Sequence, residues 1–183
     1  MNLPASVEGR ERVRLFCALR LPEAAVDVVS EWQAANLRDG RIVPPEHLHL
    51  TLAFLGHRPV GELPDISASL RETAADAEPI RFVPERYRET RSVAMLALKD
   101  LTGAATRLAD ALFDRLEQAG VYEREARPWL PHVTVLRFRR RPQLKPPLPE
   151  LGEFAPSDAA VFLSELRPSG ARYVVVESFA LGG

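Results

Sequence analysis

The chain carries one four-residue pattern twice. His49-Leu50-Thr51-Leu52 returns as His132-Val133-Thr134-Val135, beginning 83 residues later. A pattern repeated at long range constrains the fold more than composition does, because each copy needs an equivalent local setting and the chain must build the same unit twice. The flanks repeat too. Arg14-Leu15-Phe16-Cys17-Ala18-Leu19 reads as a buried strand and is followed by a helix over 22–37, with Ala25, Val28, Val29 and Trp32 at helical spacing. Val93-Ala94-Met95-Leu96-Ala97-Leu98 is the matching strand, followed by a helix whose apolar stripe is Leu101, Ala105, Leu108, Leu112 and Leu116. Pairing Leu19 with Leu98 gives an offset of 79, so the halves differ by a four-residue loop.

On a strand, alternate side chains share a face, so each motif His projects with its Thr while Leu50, Leu52, Val133 and Val135 point the other way. Two imidazoles and two hydroxyls can then meet in one cleft. This set suits phosphate-ester chemistry: near neutral pH one imidazole can take a proton while the other gives one, and hydroxyls can hold phosphate oxygens. A single His at a strand surface, or a single strand Thr, would have an ordinary structural explanation. Matched repetition makes His49 and His132 the candidate catalytic pair, with Thr51 and Thr134 as phosphate contacts.

His47 shares strand parity with His49, and His-x-His is also a metal-ligand spacing. A metal reading would recruit His47, His49 and His132, but no carboxylate occupies either motif face, so the acid–base reading ranks first and no metal is expected. Phe16, in the strand before the first motif, is a candidate for lining the cleft under a base, although Phe in a buried strand is usually core. His57, after Gly56, reads as a loop residue. Arg137-Phe138-Arg139-Arg140-Arg141 follows the second motif directly. Charge runs are usually solvated, yet this position would also serve a nucleic-acid backbone.

Between these units, Arg38-Asp39-Gly40 and Pro44-Pro45 mark a turn, and Gly56 closes the first motif strand. A helix spans 64–77, with Ile66, Leu70 and Ala74 on one face, and strands follow near 80–88 and 92–98. Gly120 stops the second amphipathic helix, and 141–149 is a proline-rich loop. Two closing strands, 159–163 and 172–177, are joined by a turn at Pro168-Ser169-Gly170. Strands in mostly antiparallel order with about three helices make an α+β protein. Residues 1–11 read as a flexible tail, and 12–181 as one domain of two lobes. With 46% hydrophobic residues the chain can fill such a core, and its net charge of −1 selects no partner class. Cys17 lies inside an apolar strand and reads as a small core side chain. No apolar run approaches the ~20 residues that span a bilayer, and the start lacks a signal-peptide core. A cytoplasmic monomer without membrane contact or cofactor is the expectation.

The paired motifs resemble those of the 2H phosphoesterase superfamily. Pro44-Pro45-Glu46-His47-Leu48-His49-Leu50-Thr51-Leu52-Ala53-Phe54-Leu55-Gly56 and Trp129-Leu130-Pro131-His132-Val133-Thr134-Val135-Leu136-Arg137 look like the two signature blocks of its RNA 2',3'-cyclic phosphodiesterase branch, also called 2'-5' RNA ligases. Arg14 to Leu19 resembles that branch's opening strand, and Ser164-Glu165-Leu166 through Gly170 and Tyr173 its closing hairpin. The resemblance spans about 12–181. It implies a bilobal fold around a central cleft with a pseudo-two-fold axis, metal-free hydrolysis of terminal 2',3'-cyclic phosphates to 2'-phosphates, and RNA ends or nucleoside 2',3'-cyclic phosphates as substrates. It also assigns phosphate binding to Arg137. Strict alternation would turn Arg137 away from His132, so that role requires a twist, bulge or strand end before it. No GxxxxGK[ST] loop is present, so ligation is expected only as the reverse reaction. The rival readings are hydrolysis of 2'-5'-linked oligonucleotides or another small cyclic phosphate, and a non-catalytic RNA-end-binding module.

Overall fold

A computed structural model of the chain describes residues 7, 9–168 and 170–182. The strands are β1 (Arg12–Arg20), β2 (Arg41–Ile42), β3 (His49–Pro59), β4 (Phe82–Glu89), β5 (Val93–Asp100), β6 (His132–Arg137), β7 (Asp158–Arg167) and β8 (Gly170–Phe179). The helices are α1 (Glu23–Asn36), α2 (Leu63–Ala75) and α3 (Ala104–Gln118). The expected α+β class holds, with two antiparallel four-stranded sheets ordered β3-β1-β7-β8 and β2-β6-β5-β4. Each motif strand pairs with the apolar strand that precedes it in its own half, β3 with β1 and β6 with β5.

The duplication extends to an irregularity. Alternation fails in both motif strands at the same place. Cys17 faces Ala53 while Ala18 faces Thr51, leaving Leu52 as an extra residue; Ala94 faces Leu136 while Met95 faces Thr134, leaving Val135 extra. Both extra residues are the last of their tetrapeptides and both are buried. A bulge shifts parity by one, so the residues five places after each His, Phe54 and Arg137, are returned to the histidine face, and both are exposed.

Each motif strand is also braced by a side chain from the other half. Gln33, buried on α1, donates from Nε2 to the Val135 carbonyl at the second bulge (2.7 Å) and to the Val43 carbonyl (3.1 Å). Trp129, in the loop before β6, donates from its indole nitrogen to the Thr51 carbonyl (2.9 Å). Helix α1 lies over the second sheet, with Trp32 edge-on to Tyr87 of β4, whereas α2 packs on α3 and against β7 and β8 of the first. Helix α1 of the first half thus crosses to the second sheet, while α3 of the second half packs on α2 and touches both β3 and β5, which ties one sheet to the other.

Several sequence expectations are corrected. Register pairs Leu19 with Leu50 and Leu96 with Val133, so Leu96 and not Leu98 is the counterpart of Leu19. Gly56 does not end the first motif strand: at φ 68 it sits beside a second bulge, and β3 continues through His57 to Pro59. Leu101 is 40% exposed and precedes α3, whose stripe starts at Ala104 and Ala105 because Gly103, at φ 69, sets the helix start. Cys17 is buried as expected, and burial pushes its thiol up to about 12. Residues 1–6 and 8 of the amino-terminal stretch, and Ser169 of the expected last turn, lie outside the described residues. Val7 is buried in the core and Arg10 pairs with Glu165 at 2.7 Å, so those two are anchored. Among the described residues no helix is long and apolar enough to cross a membrane.

Candidate active site

Strands β3 and β6 approach one another across a cleft of about 340 Å³. Its walls carry His49, Thr51, Thr134 and Arg137 together with Arg14, Arg41, His47 and Tyr173, and, among the described residues, no carboxylate. His132 is not among the lining side chains. It is half-buried, projects from the same face of β6 as Thr134, and is near enough to His49 for its charge to lower that imidazole's pKa.

The two histidines are held alike. His49 Nδ1 lies 2.8 Å from the His47 carbonyl and His132 Nδ1 lies 2.8 Å from the Leu130 carbonyl, in each case two residues back. A carbonyl oxygen only accepts, so Nδ1 carries the proton in both rings and Nε2 is the nitrogen left for chemistry. For His49 the Thr51 hydroxyl donates to that Nε2 at 3.1 Å. Burial, then the charges of His47, Arg137 and His132, lower the His49 pKa to about 4 against the opposing pull of the His47 carbonyl. His49 is therefore neutral near pH 7, with a lone pair on Nε2.

Burial comes from an aromatic wall. Phe16 stacks on Phe162 (4.9 Å, 5°), and the His49 ring lies 5.0 Å from Phe16 and 5.9 Å from Phe162, with Tyr173 edge-on to Phe16. Phe16 touches the cleft, yet it is only 3% exposed. Its ring packs against Phe162, Tyr173 and the candidate His49, so here it seats that imidazole from the cleft wall. The exposed aromatic beside the site is Phe54, 49% accessible, with the Arg14 guanidinium 4.8 Å from its ring centroid. His47 packs against Tyr173 at 4.4 Å. Its pKa is lowered by burial and by Arg41 and Arg137, against Glu46.

The basic run divides. Arg137 faces the cleft through the bulge, Phe138 is buried, and Arg141 turns away to Glu89 at 3.1 Å. Burial alone would raise the Glu89 pKa, but the Leu144 amide, Tyr87, Arg141 and the Gln143 amide outweigh it, so the carboxylate stays charged and pins the proline-rich loop. Arg14, Arg41 and Tyr173 were not singled out from sequence as site residues. Arg41 arrives through two-residue strand β2, paired to Arg137, and so short a strand has no periodic signal. The parity of Arg14 with Phe16 on β1 was the one available sign for that residue.

Residues 21–167 match the family model described as the 2'-5' RNA ligase superfamily. An RNA 2',3'-cyclic phosphodiesterase of Thermus thermophilus is 34% identical over 93% of this chain and 91% of its own length, and one of Methanothermobacter thermautotrophicus is 31% identical over 93% and 100%. Among solved structures, a Thermus thermophilus protein superposes with a TM-score of 0.79 at 34% identity, covering 93% of this chain and 98% of that one. Escherichia coli LigT complexed with NADP+ gives 0.79 at 26%, covering 95% and 100%. Two bulged His-x-Thr-x strands facing one arginine-lined cleft, on this topology and across this length of match, make the chain a member of the 2'-5' RNA ligase superfamily, the 2H phosphoesterases.

Proposed function

We propose that this protein hydrolyses terminal RNA 2',3'-cyclic phosphates to 2'-phosphates. The observation that carries the reading is the identical tethering of the two imidazoles by a carbonyl two residues back, which keeps the proton on Nδ1 and leaves Nε2 for chemistry in both rings. Simple binding of an anion would be better served by permanent cations than by two rings held in one tautomer. His49, neutral at pH 7, is the general base: Nε2 takes a proton from water as its oxygen attacks phosphorus. The P–O3' bond breaks, the P–O2' bond remains, and His132 in its imidazolium form gives Nε2–H to the departing 3' oxygen. Thr51, Thr134 and Arg137 hold the nonbridging oxygens, supplying donors where negative charge grows. For Thr51 this means exchanging its bond to His49 Nε2 for one to phosphate, which frees that lone pair for water. With a ribose 5'-hydroxyl in place of water the same step would join two ends: the 5' oxygen attacks the cyclic phosphate as His49 takes its proton, the P–O5' bond forms while P–O3' breaks, His132 protonates the 3' oxygen, and a 2'-5' linkage remains.

The names of the relatives support this substrate over a 2'-5'-linked oligonucleotide. The test is turnover of a nucleoside 2',3'-cyclic phosphate by protein dialysed against EDTA. We expect full activity, because the arginine and hydroxyls carry the charge stabilisation. Activity lost on chelation and restored by zinc would transfer the role to a metal held by His47, His49 and His132.

A further inference from the structure

Beside the cleft lies a second depression of about 330 Å³, walled by Arg10, Arg12, Arg14, Arg167, His57 and Glu165 among others. It is continuous with the cleft, since Arg14, Ser164 and Leu166 line both. Among the described residues, four arginines stand there against one carboxylate, in a chain whose net charge is −1. Glu165 takes Arg10 at 2.7 Å and Arg167 at 2.8 Å, with Arg172 at 4.0 Å, so one acid is shared among three cations and positive charge is left over. Arg12 spends a single donor, on the His57 carbonyl. Phe54, half exposed with Arg14 beside its ring, belongs to the cleft wall and meets the groove at Arg14.

We propose that this groove is the path of the RNA strand on the 5' side of the cyclic phosphate, with Phe54 as a stacking platform where the strand leaves the cleft. The argument rests on the cleft reading above and on substrate chemistry. A terminal 2',3'-cyclic phosphate uses both lower ribose oxygens, so the chain continues only from the 5' oxygen and must leave by a single route. A groove of arginines opening from the cleft, with an aromatic at the junction, is the combination that binds single strands without reading their sequence. Pseudo-symmetry gives the same direction. Position 137 holds the cation for phosphate, whereas its counterpart, position 54, holds the aromatic, so base and phosphate go to opposite halves.

The test compares wild type with Arg12→Gln/Arg167→Gln, neither residue being part of the catalytic cleft. Binding of a short fluorescent oligoribonucleotide ending in a 3'-phosphate is followed by anisotropy against salt, and turnover of a mononucleoside 2',3'-cyclic phosphate is measured in parallel. Losing two phosphate contacts should make the log Kd versus log salt dependence shallower by about 1.4, so that the variant's disadvantage shrinks about sevenfold between roughly 50 and 200 mM salt. Mononucleoside turnover should be unchanged, which also reports that the variant folds. Equal salt dependence in both proteins overturns the groove, as does a loss of mononucleoside turnover that matches the loss of oligonucleotide binding. A wild type that turns over no cyclic phosphate overturns the cleft reading instead, while the binding slopes still decide the groove.

Discussion

His49 and His132 stand out in the sequence as the candidate pair because a repeated tetrapeptide is hard to explain by strand propensity. The setting of His49 is not legible there, since it depends on Phe16 and Phe162 packed beside its ring and on register that no local pattern reports. Either His→Ala change should lower kcat/KM on a cyclic phosphate by about 10²–10⁴-fold. The double variant should lose far less than the product, because the two act as one unit. With His49 lowered to about 4, the kcat/KM profile should climb as pH rises through about 4 and reach its plateau below neutrality. The same shift has a stability consequence. An unfolded imidazole titrates near 6.5, so between that value and about 4 the unfolded chain binds the extra proton. This contribution is complete above about 6.5 and is lost as pH falls toward 4. Denaturant titrations at neutral pH and near pH 4.5 should therefore show a smaller acid loss in His49→Gln than in wild type. An equal loss in both would place the titration elsewhere.

At the scale of elements, strict alternation served the first three residues of each motif and failed at the fourth, where Leu52 and Val135 bulge. Sequence placed Arg137 on the wrong face unless the strand broke its pattern, and nothing local announces a bulge whose bracing partner lies a hundred residues away. That partner is Gln33, whose amide holds the Val135 carbonyl from α1. Gln33→Ala leaves the Val43 carbonyl without its side-chain donor in a buried setting, which should cost about 1–3 kcal/mol in denaturant unfolding. It should also raise KM for a cyclic phosphate more than it lowers kcat, by loosening the bulge that aims Arg137. A variant with wild-type stability and KM would show the brace to be incidental. Helix existence was readable throughout from apolar spacing; helix ends were less so, as Leu101 shows, because Gly103 decides where α3 begins.

Over the whole molecule, the duplicated unit fixes where the two motifs meet, and the crossing of α1 onto the second sheet helps keep them there. Sequence predicted two related halves from the repeat alone. It did not reveal the crossing of α1 onto the second sheet, which rests on long-range contacts such as Trp32 with the Pro147 carbonyl. The asymmetry that gives the molecule a direction lies in pairs the symmetry would make equal: Phe16 and Phe162 packed beside His49, and Phe54 opposite Arg137. With His49 as base and His132 as acid, as proposed above, that asymmetry would make the outcome specific, because fixed sides for the two groups would select which ribose oxygen departs. The most direct test is to hydrolyse a nucleoside 2',3'-cyclic phosphate with the protein and assign the product by phosphorus NMR. The account predicts the 2'-phosphate alone; a 3'-phosphate, a mixture of the two, or no hydrolysis would contradict it.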